Sequence, residues 1–181
     1  MYYEVFLLNN LMEAPSYGYI LKKKLIKDLE ICTSISSNTI YSILRKYERL
    51  GVVTKKIEIL ENKPPRYIYT ITAYGRKYFV NLLRDFPESL ITDRDEFCTR
   101  LSFFSFLDKH ARIRLLDLRE KHLEFTKKCL EEYSGLNHFN QEQSVFKDFN
   151  MSIVNAEEKL IDFFRGKLDA PCIIDSDRNF D

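Results

Sequence analysis

One side of a predicted helix at residues 35–51, ISSNTIYSILRKYERLG, carries side chains suited to binding chemistry. Apolar residues at helical spacing mark its buried side: Ile40, Ile43, Leu44, Tyr47 and Leu50. The other side combines hydroxyls, an amide, a phenol and cations: Ser37, Asn38, Thr39, Tyr41, Ser42, Arg45, Lys46 and Arg49. A solvated helix surface usually carries mixed charges, but Glu48 is the only acid here, and it lies near the end of the helix.

This polar side suits double-stranded DNA. Amides and hydroxyls pair with base edges, and lysine and arginine bind phosphates. The start of the helix has short polar residues in place of the acids that the helix dipole would favour. We therefore predict DNA contact from this face, with seven helix residues involved: Ser37, Asn38, Thr39, Tyr41, Ser42, Arg45 and Lys46.

The elements around this helix predict a winged helix-turn-helix domain over residues 1–86. Two runs rich in β-branched and aromatic residues flank NKPP, which cannot continue a strand ladder, so they predict a hairpin with a basic tip. Lys63 and Arg66 on this two-stranded wing would contact the DNA backbone. The predicted order is a helix at 3–12, a helix capped by Ser16, the helix above ended by Gly51, strands at 52–61 and 66–72, and a helix capped by Thr72.

The second half predicts an all-α dimerisation domain at 87–168, so the fold class is mainly α. A linker, PESLITD, begins at Pro87, and helices follow at about 93–107, from an N-cap at Asp108 to about 134, and at 141–166. The last helix has apolar residues three and four apart, as in a coiled-coil seam: Phe146, Phe149, Ile153, Ala156, Leu160 and Phe163. Residues 169–181 predict an acidic, disordered tail.

The seam raises the question of what covers it. Packing within the chain is one answer, but three helices with short connections offer little surface for it. A second copy of the chain is favoured, because one winged domain reads few base pairs and two copies on a palindrome multiply the contacts. We therefore predict a homodimer on a palindromic operator.

Charge and composition narrow the function classes. Residues 1–86 hold 14 basic and 8 acidic residues, whereas residues 87–181 hold 14 basic and 19 acidic residues. The first half is therefore basic and the second half acidic, although the net charge of the whole chain is only +1. The four cysteines and three histidines are scattered along the sequence, and no nucleotide-binding or hydrolase motif occurs. We therefore predict that the protein has no metal site, needs no cofactor and is not an enzyme. No signal peptide or membrane span is visible, which predicts a cytoplasmic protein.

Three blocks of the first half resemble the PadR-like transcriptional regulators. They are SYGYILKKKL at 16–25, ISSNTIYSILRKYERLGVV at 35–53 and PPRYIYTITAYGRKYF at 64–79. In the second half DEFCTRLSFFSFLD and VFKDFNMSIVNAEEKLIDFF are similar to C-terminal helices of that family, more loosely. Ser37 and Asn38 depart from the Pro and Gly of many relatives, so the operator sequence does not carry over.

The resemblance implies a homodimeric regulator, commonly a repressor, whose C-terminal helices build the dimer. Asn38, Thr39 and Tyr41 would open the recognition helix onto the major groove, Arg45 and Lys46 would reach further along it, and Lys63 and Arg66 would hold the wing on phosphates or in the minor groove. Some relatives bind a small aromatic or hydrophobic effector. The chain has 14 Phe and 11 Tyr but no Trp, which excludes a tryptophan sandwich for such a ligand.

Two other functions stay open on the residues. A winged domain can serve as a protein-interaction scaffold without sequence-specific DNA binding, but such a scaffold should show acids or an apolar patch on the outward side of the third helix. A non-specific nucleic-acid binder should carry a larger positive excess and few amides or hydroxyls at the helix start. The polar, basic face at 37–46 favours sequence-specific DNA binding over both.

Overall fold

The structure is a computed structural model that describes residues 2–28, 35–59, 65–133 and 140–173. These residues divide into two compact units, the first ending at Asp85 and the second beginning at Phe86. No helix within the described ranges is both long and apolar enough to cross a membrane.

The described residues of the first unit form four helices and three short strands. They are α1 (Tyr2–Glu13), β1 (Ser16–Tyr17), α2 (Gly18–Asp28), α3 (Ser37–Arg49), β2 (Val53–Glu58), β3 (Arg66–Ile71) and α4 (Ala73–Arg84). Their apolar faces meet in one core whose innermost side chains are at most 1% exposed: Val5, Leu8, Leu11, Leu21, Leu25, Ile40, Leu44, Tyr47, Phe79 and Leu83. This is the predicted winged-helix order.

The sheet has one strand more than the predicted hairpin. Its order is β1-β3-β2 and both pairings are antiparallel. Ser16, predicted as the N-cap of the second helix, lies instead in β1 and pairs with Tyr69, and Tyr17 pairs with Ile68. The prediction was wrong because β3, about fifty residues further along the chain, offers the backbone of Ser16 a strand partner.

Local signals position both ends of α3 and the start of α4. Ser36 caps α3 by accepting a hydrogen bond from the Thr39 amide at 3.1 Å, and Gly51 ends it with a left-handed φ of 70°. Thr72 caps α4 by accepting from the Gly75 amide at 2.8 Å. Gly75 has to be glycine, because a Cβ there would lie 2.0 Å from the carbonyl oxygen of Val52.

The second unit is entirely helical in its described residues. It comprises α5 (Glu88–Ile91), α6 (Arg94–Ser102), a 3-10 turn (Phe104–Phe106), α7 (Lys109–Tyr133) and α8 (Gln141–Arg165). The prediction of a linker after Phe86 is therefore partly wrong, because Glu88–Ile91 of that segment form α5. Ile91 is 1% exposed, and the burial of this side chain and of Phe86 fixes the segment to the unit. The predicted cap of the long helix is confirmed, because Asp108 Oδ1 accepts from the Ala111 amide.

Helices α7 and α8 pack as an antiparallel pair joined by ion pairs. Lys127 contacts Glu158 near one end, and Arg165 contacts Asp117 at 2.8 Å near the other. Between them Arg119, 4% exposed, binds Glu157 at 2.7 Å. A buried guanidinium in contact with a buried carboxylate satisfies both charges away from water.

The residues after α8 are held by α7. Arg112 donates to the carbonyl oxygens of Leu168, Ala170 and Pro171, and Lys109 contacts the carboxylate of Asp169 at 2.6 Å. Residues 169–171, at the start of the segment predicted as a disordered tail, thus supply acceptors to Lys109 and to buried Arg112. Residues 174–181 lie outside the described ranges.

Candidate nucleic-acid interface

Helix α3 has a fully buried side and a polar outward side. Ile40, Leu44 and Tyr47 are 0% exposed and fix its rotation against the core. With these three turned inward, the remaining polar residues face solvent: Ser37, Asn38, Tyr41, Ser42, Arg45, Lys46 and Arg49, with Thr39 half-buried at the edge. The structure thus brings all seven helix residues predicted to contact DNA together on one element.

The first turn of α3 is arranged for an anion. It contains no acidic residue, and the amides at a helix N-terminus favour an anion. Lys22 of α2 adds a cation here, because its Nζ lies 3.0 Å from Ser37 Oγ. Thr39 Oγ1 is turned back to Ser36 Oγ at 2.9 Å. Sequence reasoning missed Lys22, although the run KKK at 22–24 shows that α2 carries cations that need a partner.

Tyr41 lies against the start of α2. A Cβ at Gly18 would lie 2.6 Å from Tyr41 Cε1, so only glycine lets the ring occupy this position. Tyr41 remains 38% exposed, which leaves part of the ring and its hydroxyl for an external contact. Gly18 therefore makes room for a side chain that is distant in sequence.

The two neighbouring cations of α3 differ in their surroundings. Lys46 Nζ lies 2.7 Å from Glu4 Oε1 of α1, and this hydrogen bond raises the pKa of Lys46 above its usual value. Arg45 forms no ion pair with any residue that the structure describes, and neither does Arg49. Arg45 is therefore free to reach an external phosphate or base, whereas Lys46 must first leave Glu4.

Of the two wing residues predicted to contact DNA, only Arg66 lies within the described residues. Lys63 lies outside the described residues. Arg66 pairs across the sheet with Glu58, and its guanidinium lies 6.0 Å from the ring centre of Tyr19. Lys55 occupies the other face of the wing, where its Nζ lies 3.2 Å from Glu48 of α3. The wing face that continues α3 is therefore the face of Lys55.

Tyrosines near this surface keep their protons. Burial raises the pKa of Tyr47 and of Tyr69, and a hydrogen bond to Glu58 raises that of Tyr17. Each hydroxyl is therefore neutral at physiological pH and adds no negative charge beside a polyanion. The electrostatic character of the surface comes from its lysines and arginines.

Helix α8 has the opposite kind of free surface. Its inward side is Val154, Glu157 and Ile161, each at most 7% exposed. Three of the predicted seam residues, Phe146, Phe149 and Phe163, are 68%, 60% and 56% exposed. Of the remaining seam residues, Ala156 is exposed, and Ile153 and Leu160 are half-buried. Sequence reasoning missed Val145, which is 64% exposed next to the seam.

No group of three or more histidine, cysteine or acidic side chains in the described ranges could hold a metal ion. His138 and Cys32 lie outside those ranges. Cys98, Cys129 and Cys172 are free thiols.

Comparisons with known proteins agree with the arrangement of the first unit. Residues 7–81 match the transcriptional regulator PadR-like family, which confirms the resemblance and the winged-helix fold. This family consists of transcriptional regulators and not of enzymes. None of the curated proteins matches the chain in sequence.

Several solved structures are similar. PadR of Bacillus subtilis in complex with operator DNA is 21% identical, with 91% of this chain and 96% of that chain covered and a TM-score of 0.42. A transcriptional regulator from Clostridium thermocellum is 28% identical, with 43% and 73% covered and a TM-score of 0.39. A PadR-like regulator from Bacillus cereus is 19% identical, with 92% and 93% covered and a TM-score of 0.38.

Proposed function

Because residues 7–81 form a domain of the PadR-like transcriptional regulators, we propose that this protein is a sequence-specific DNA-binding repressor that acts as a homodimer in the cytoplasm. The observation that carries the proposal is the outward face of α3. An amide, hydroxyls and an arginine that forms no ion pair with the described residues lie together on a helix whose rotation is fixed by three fully buried side chains. A protein-interaction scaffold has no need for this combination.

In the proposed mode, α3 enters the major groove with its first turn leading. Asn38, Ser42 and Tyr41 would contact base edges, and the amides of the first turn with Ser37 and Lys22 would bind a phosphate. Arg45 would reach bases or phosphates further along the groove. Lys46 would exchange Glu4 for a phosphate, and Arg66 would contact the backbone from the far face of the wing.

Dimerisation through α8 is the second part of the proposal. Covering a largely exposed phenylalanine contributes roughly 1–2 kcal/mol, and the seam presents three in addition to Val145. The inward side of α8 is already occupied by α7, and within the described residues Phe146, Phe149 and Phe163 of the seam stay more than half exposed. A second copy, which carries the same surface, would cover it in a two-fold arrangement and place two winged domains on one palindromic operator.

We place an effector, if one relieves repression, at the start of α8. Two adjoining grooves there share Phe146 and Glu142, and their walls include Val145, Phe149 and Leu130. These are largely seam residues, so a small aromatic or hydrophobic compound in the grooves would act on the dimer. A dye such as an anilinonaphthalene sulfonate should bind there and be displaced by an effector, and the Phe146→Ser variant should lose this binding.

The test of the proposed function is binding to DNA from upstream of the protein's own gene. Fluorescence anisotropy with excess unrelated competitor and a salt titration should show tight binding that resists the competitor. A reporter fused to this region should be expressed more strongly when the gene is deleted. Weak binding that unrelated DNA removes completely would contradict a sequence-specific regulator and favour the scaffold.

A further inference from the structure

The hydroxyl of Tyr47, on the buried side of α3, is an exception to the general pairing of buried polar groups. Tyr47 is 0% exposed, and its hydroxyl forms no hydrogen bond with any residue in the described ranges. Buried polar groups are nearly always paired, because an unpaired one has lost its hydration and gains nothing in return. This hydroxyl raises the question of which group it binds in another state of the molecule.

The carboxylate of Glu4, on α1, is an acceptor close to this hydroxyl. Burial raises the pKa of Tyr47, and the nearby Glu4 carboxylate raises it further. Glu4 is itself buried, and its Oε1 accepts a hydrogen bond from Lys46 Nζ at 2.7 Å. The same ammonium lies 5.6 Å from the ring centre of Tyr47. We name these three residues the Glu4 cluster, in which the carboxylate binds the lysine and not the tyrosine.

The members of the Glu4 cluster differ in how easily they move. Tyr47 is fixed in the core, where its ring packs edge-on against the ring of Tyr78 at 5.7 Å. The side chain of Lys46 is 47% exposed, so its ammonium can turn out to solvent. The terminal torsion of a glutamate is soft, so the Glu4 carboxylate can rotate while α1 stays in place. Departure of the lysine therefore leaves the carboxylate free to turn toward the tyrosine hydroxyl.

The proposed function requires that departure. Lys46 binds a phosphate only after it gives up Glu4, and a buried carboxylate that loses its cation without a substitute is strongly destabilising. A hydroxyl that donates to a carboxylate forms one of the stronger kinds of hydrogen bond in proteins. The protonated hydroxyl of Tyr47 can therefore offset part of the cost of releasing Lys46.

We propose that Tyr47 is a positioning residue that makes Lys46 available to DNA: when the lysine ammonium moves from Glu4 to a phosphate, the tyrosine hydroxyl donates a hydrogen bond to the carboxylate in its place. The Glu4 carboxylate then has a hydrogen-bond donor in both states. The inference rests on the proposed function, and it gives a reason for a tyrosine at a core position that a phenylalanine would fill equally well.

The central test uses the Tyr47→Phe variant in the full chain with the upstream duplex. The free variant should melt no lower than the wild type, because the lost hydroxyl had no partner among the described residues. Operator affinity should nevertheless fall about threefold to tenfold, as expected for a hydrogen bond lost from a charged group. The slope of log affinity against log salt should decrease by up to about 0.9, because Lys46 stays with Glu4. A lower melting temperature, or wild-type affinity and slope, overturns the inference.

The Glu4→Gln background tests whether the effect of Tyr47 depends on the carboxylate. In that background the ammonium of Lys46 is already released, so adding Tyr47→Phe should change neither operator affinity nor salt slope. An equal loss with and without the carboxylate would show that Tyr47 affects DNA binding by another route, and this outcome overturns the exchange.

Tyr78→Phe is the matched control for the loss of a hydroxyl. Its ring lies against that of Tyr47, and the side chain is half-buried. This variant should keep the affinity and the salt slope of the wild type. If Tyr78→Phe lowers the slope and Tyr47→Phe does not, the assignment of the exchange to Tyr47 is overturned.

Proton NMR follows the exchange directly. The hydroxyl proton of Tyr47, identified by its absence from the spectrum of Tyr47→Phe, should move downfield when the upstream duplex is added, because it enters a hydrogen bond with a carboxylate. A resonance that stays in place during a titration that saturates the protein would overturn the inference.

Failure of the inference and failure of the proposed function are distinguishable. Specific binding by the wild type, together with wild-type affinity and slope in Tyr47→Phe, overturns the exchange alone. Weak binding by the wild type that unrelated DNA removes completely overturns both, because no operator phosphate then takes Lys46 from Glu4.

Discussion

Helices α3 and α8 each bury one side and leave the other free, but the two helices distribute charge in opposite ways. The buried side of α3 is Ile40, Leu44 and Tyr47, and its free side is polar and basic. The buried side of α8 includes a carboxylate, Glu157, and its free side carries exposed phenylalanines. A free polar face suits a polyanion, and a free apolar face suits a second protein surface.

The arginines of the two units show the same contrast. Arg45 and Arg49 are exposed on α3, whereas Arg100, Arg112 and Arg119 of the second unit are at most 4% exposed. The buried arginines bind carboxylates or backbone carbonyls of their own unit. Equal numbers of basic residues in the two halves of the sequence therefore have different uses, and a charge count alone does not distinguish them.

The largest effect should come from the Arg119→Met substitution. Arg119 contacts Glu157 and donates to the carbonyl oxygens of Ile91 and Thr92 at 2.9 and 2.6 Å. Without it a buried carboxylate loses its cation, and the second unit should lose about 3–5 kcal/mol of stability. Urea denaturation followed by circular dichroism measures this loss.

Arg45→Met is the matched control for that experiment. The same change on exposed α3 should alter the free energy of unfolding by no more than about 0.5 kcal/mol. Combining Arg119→Met with Glu157→Leu should recover part of the loss, because no unpaired charge then stays buried. If the Arg119 and Arg45 substitutions changed the free energy of unfolding equally, the buried arginines of the second unit would contribute no more to stability than the exposed arginines of α3.

The second prediction concerns the free face of α8. Lysines in place of Ile153 and Leu160 should give monomers in sedimentation equilibrium and lower operator affinity about 100-fold or more, because two linked winged domains bind DNA far better than one. Ser152→Lys with Asn155→Lys adds the same charge at exposed polar positions of α8 and should leave the dimer intact. If the Ile153 and Leu160 variant stays dimeric, the dimer interface lies elsewhere.

Features set by neighbours in sequence were predictable, and those set by distant contacts were not. The Thr72 and Asp108 caps and the end of α3 at Gly51 follow from local chemistry. The strand at Ser16 depends on β3, and α5 depends on burial of Ile91, so neither has a local signal.

The candidate site divides in the same way. The exposed side of α3 was predictable from helical periodicity alone. That Glu4 binds Lys46, 42 residues away, and that Arg66 shares its wing face with Glu58, follow only from packing and strand pairing.

The third prediction tests the free face of α3 directly. Arg45→Ala should lower operator affinity by about 1–3 kcal/mol and reduce the salt slope by about 1, while folding and dimerisation persist. Lys46→Ala should have a smaller effect, because the wild-type lysine must give up Glu4 before it binds DNA. Fluorescence anisotropy over a salt series measures both. Normal binding by the Arg45 variant would show that the recognition helix is misassigned.

The smallest effect should come from the Glu4→Gln substitution, which tests whether Lys46 belongs to the core or to the DNA surface. Removal of the carboxylate frees the Lys46 ammonium, so the salt slope of operator binding should steepen by up to about 0.9. The exposed pair of Lys24 and Glu13 provides the matched control, and Glu13→Gln should leave slope and stability nearly unchanged.

The pH dependence of stability gives an independent measure of the same pair. Glu4 raises the pKa of Lys46 in the folded state. The pair therefore stabilises the fold fully at pH values below the unfolded pKa of lysine, which is about 10.4, and this stabilisation is lost as the pH rises through the folded pKa. The wild type should therefore melt above Glu4→Gln at pH 7–9, and the difference should vanish in more alkaline solution. A variant with an unchanged salt slope but a lower melting temperature would assign Lys46 to the stability of the first unit and remove it from the DNA surface.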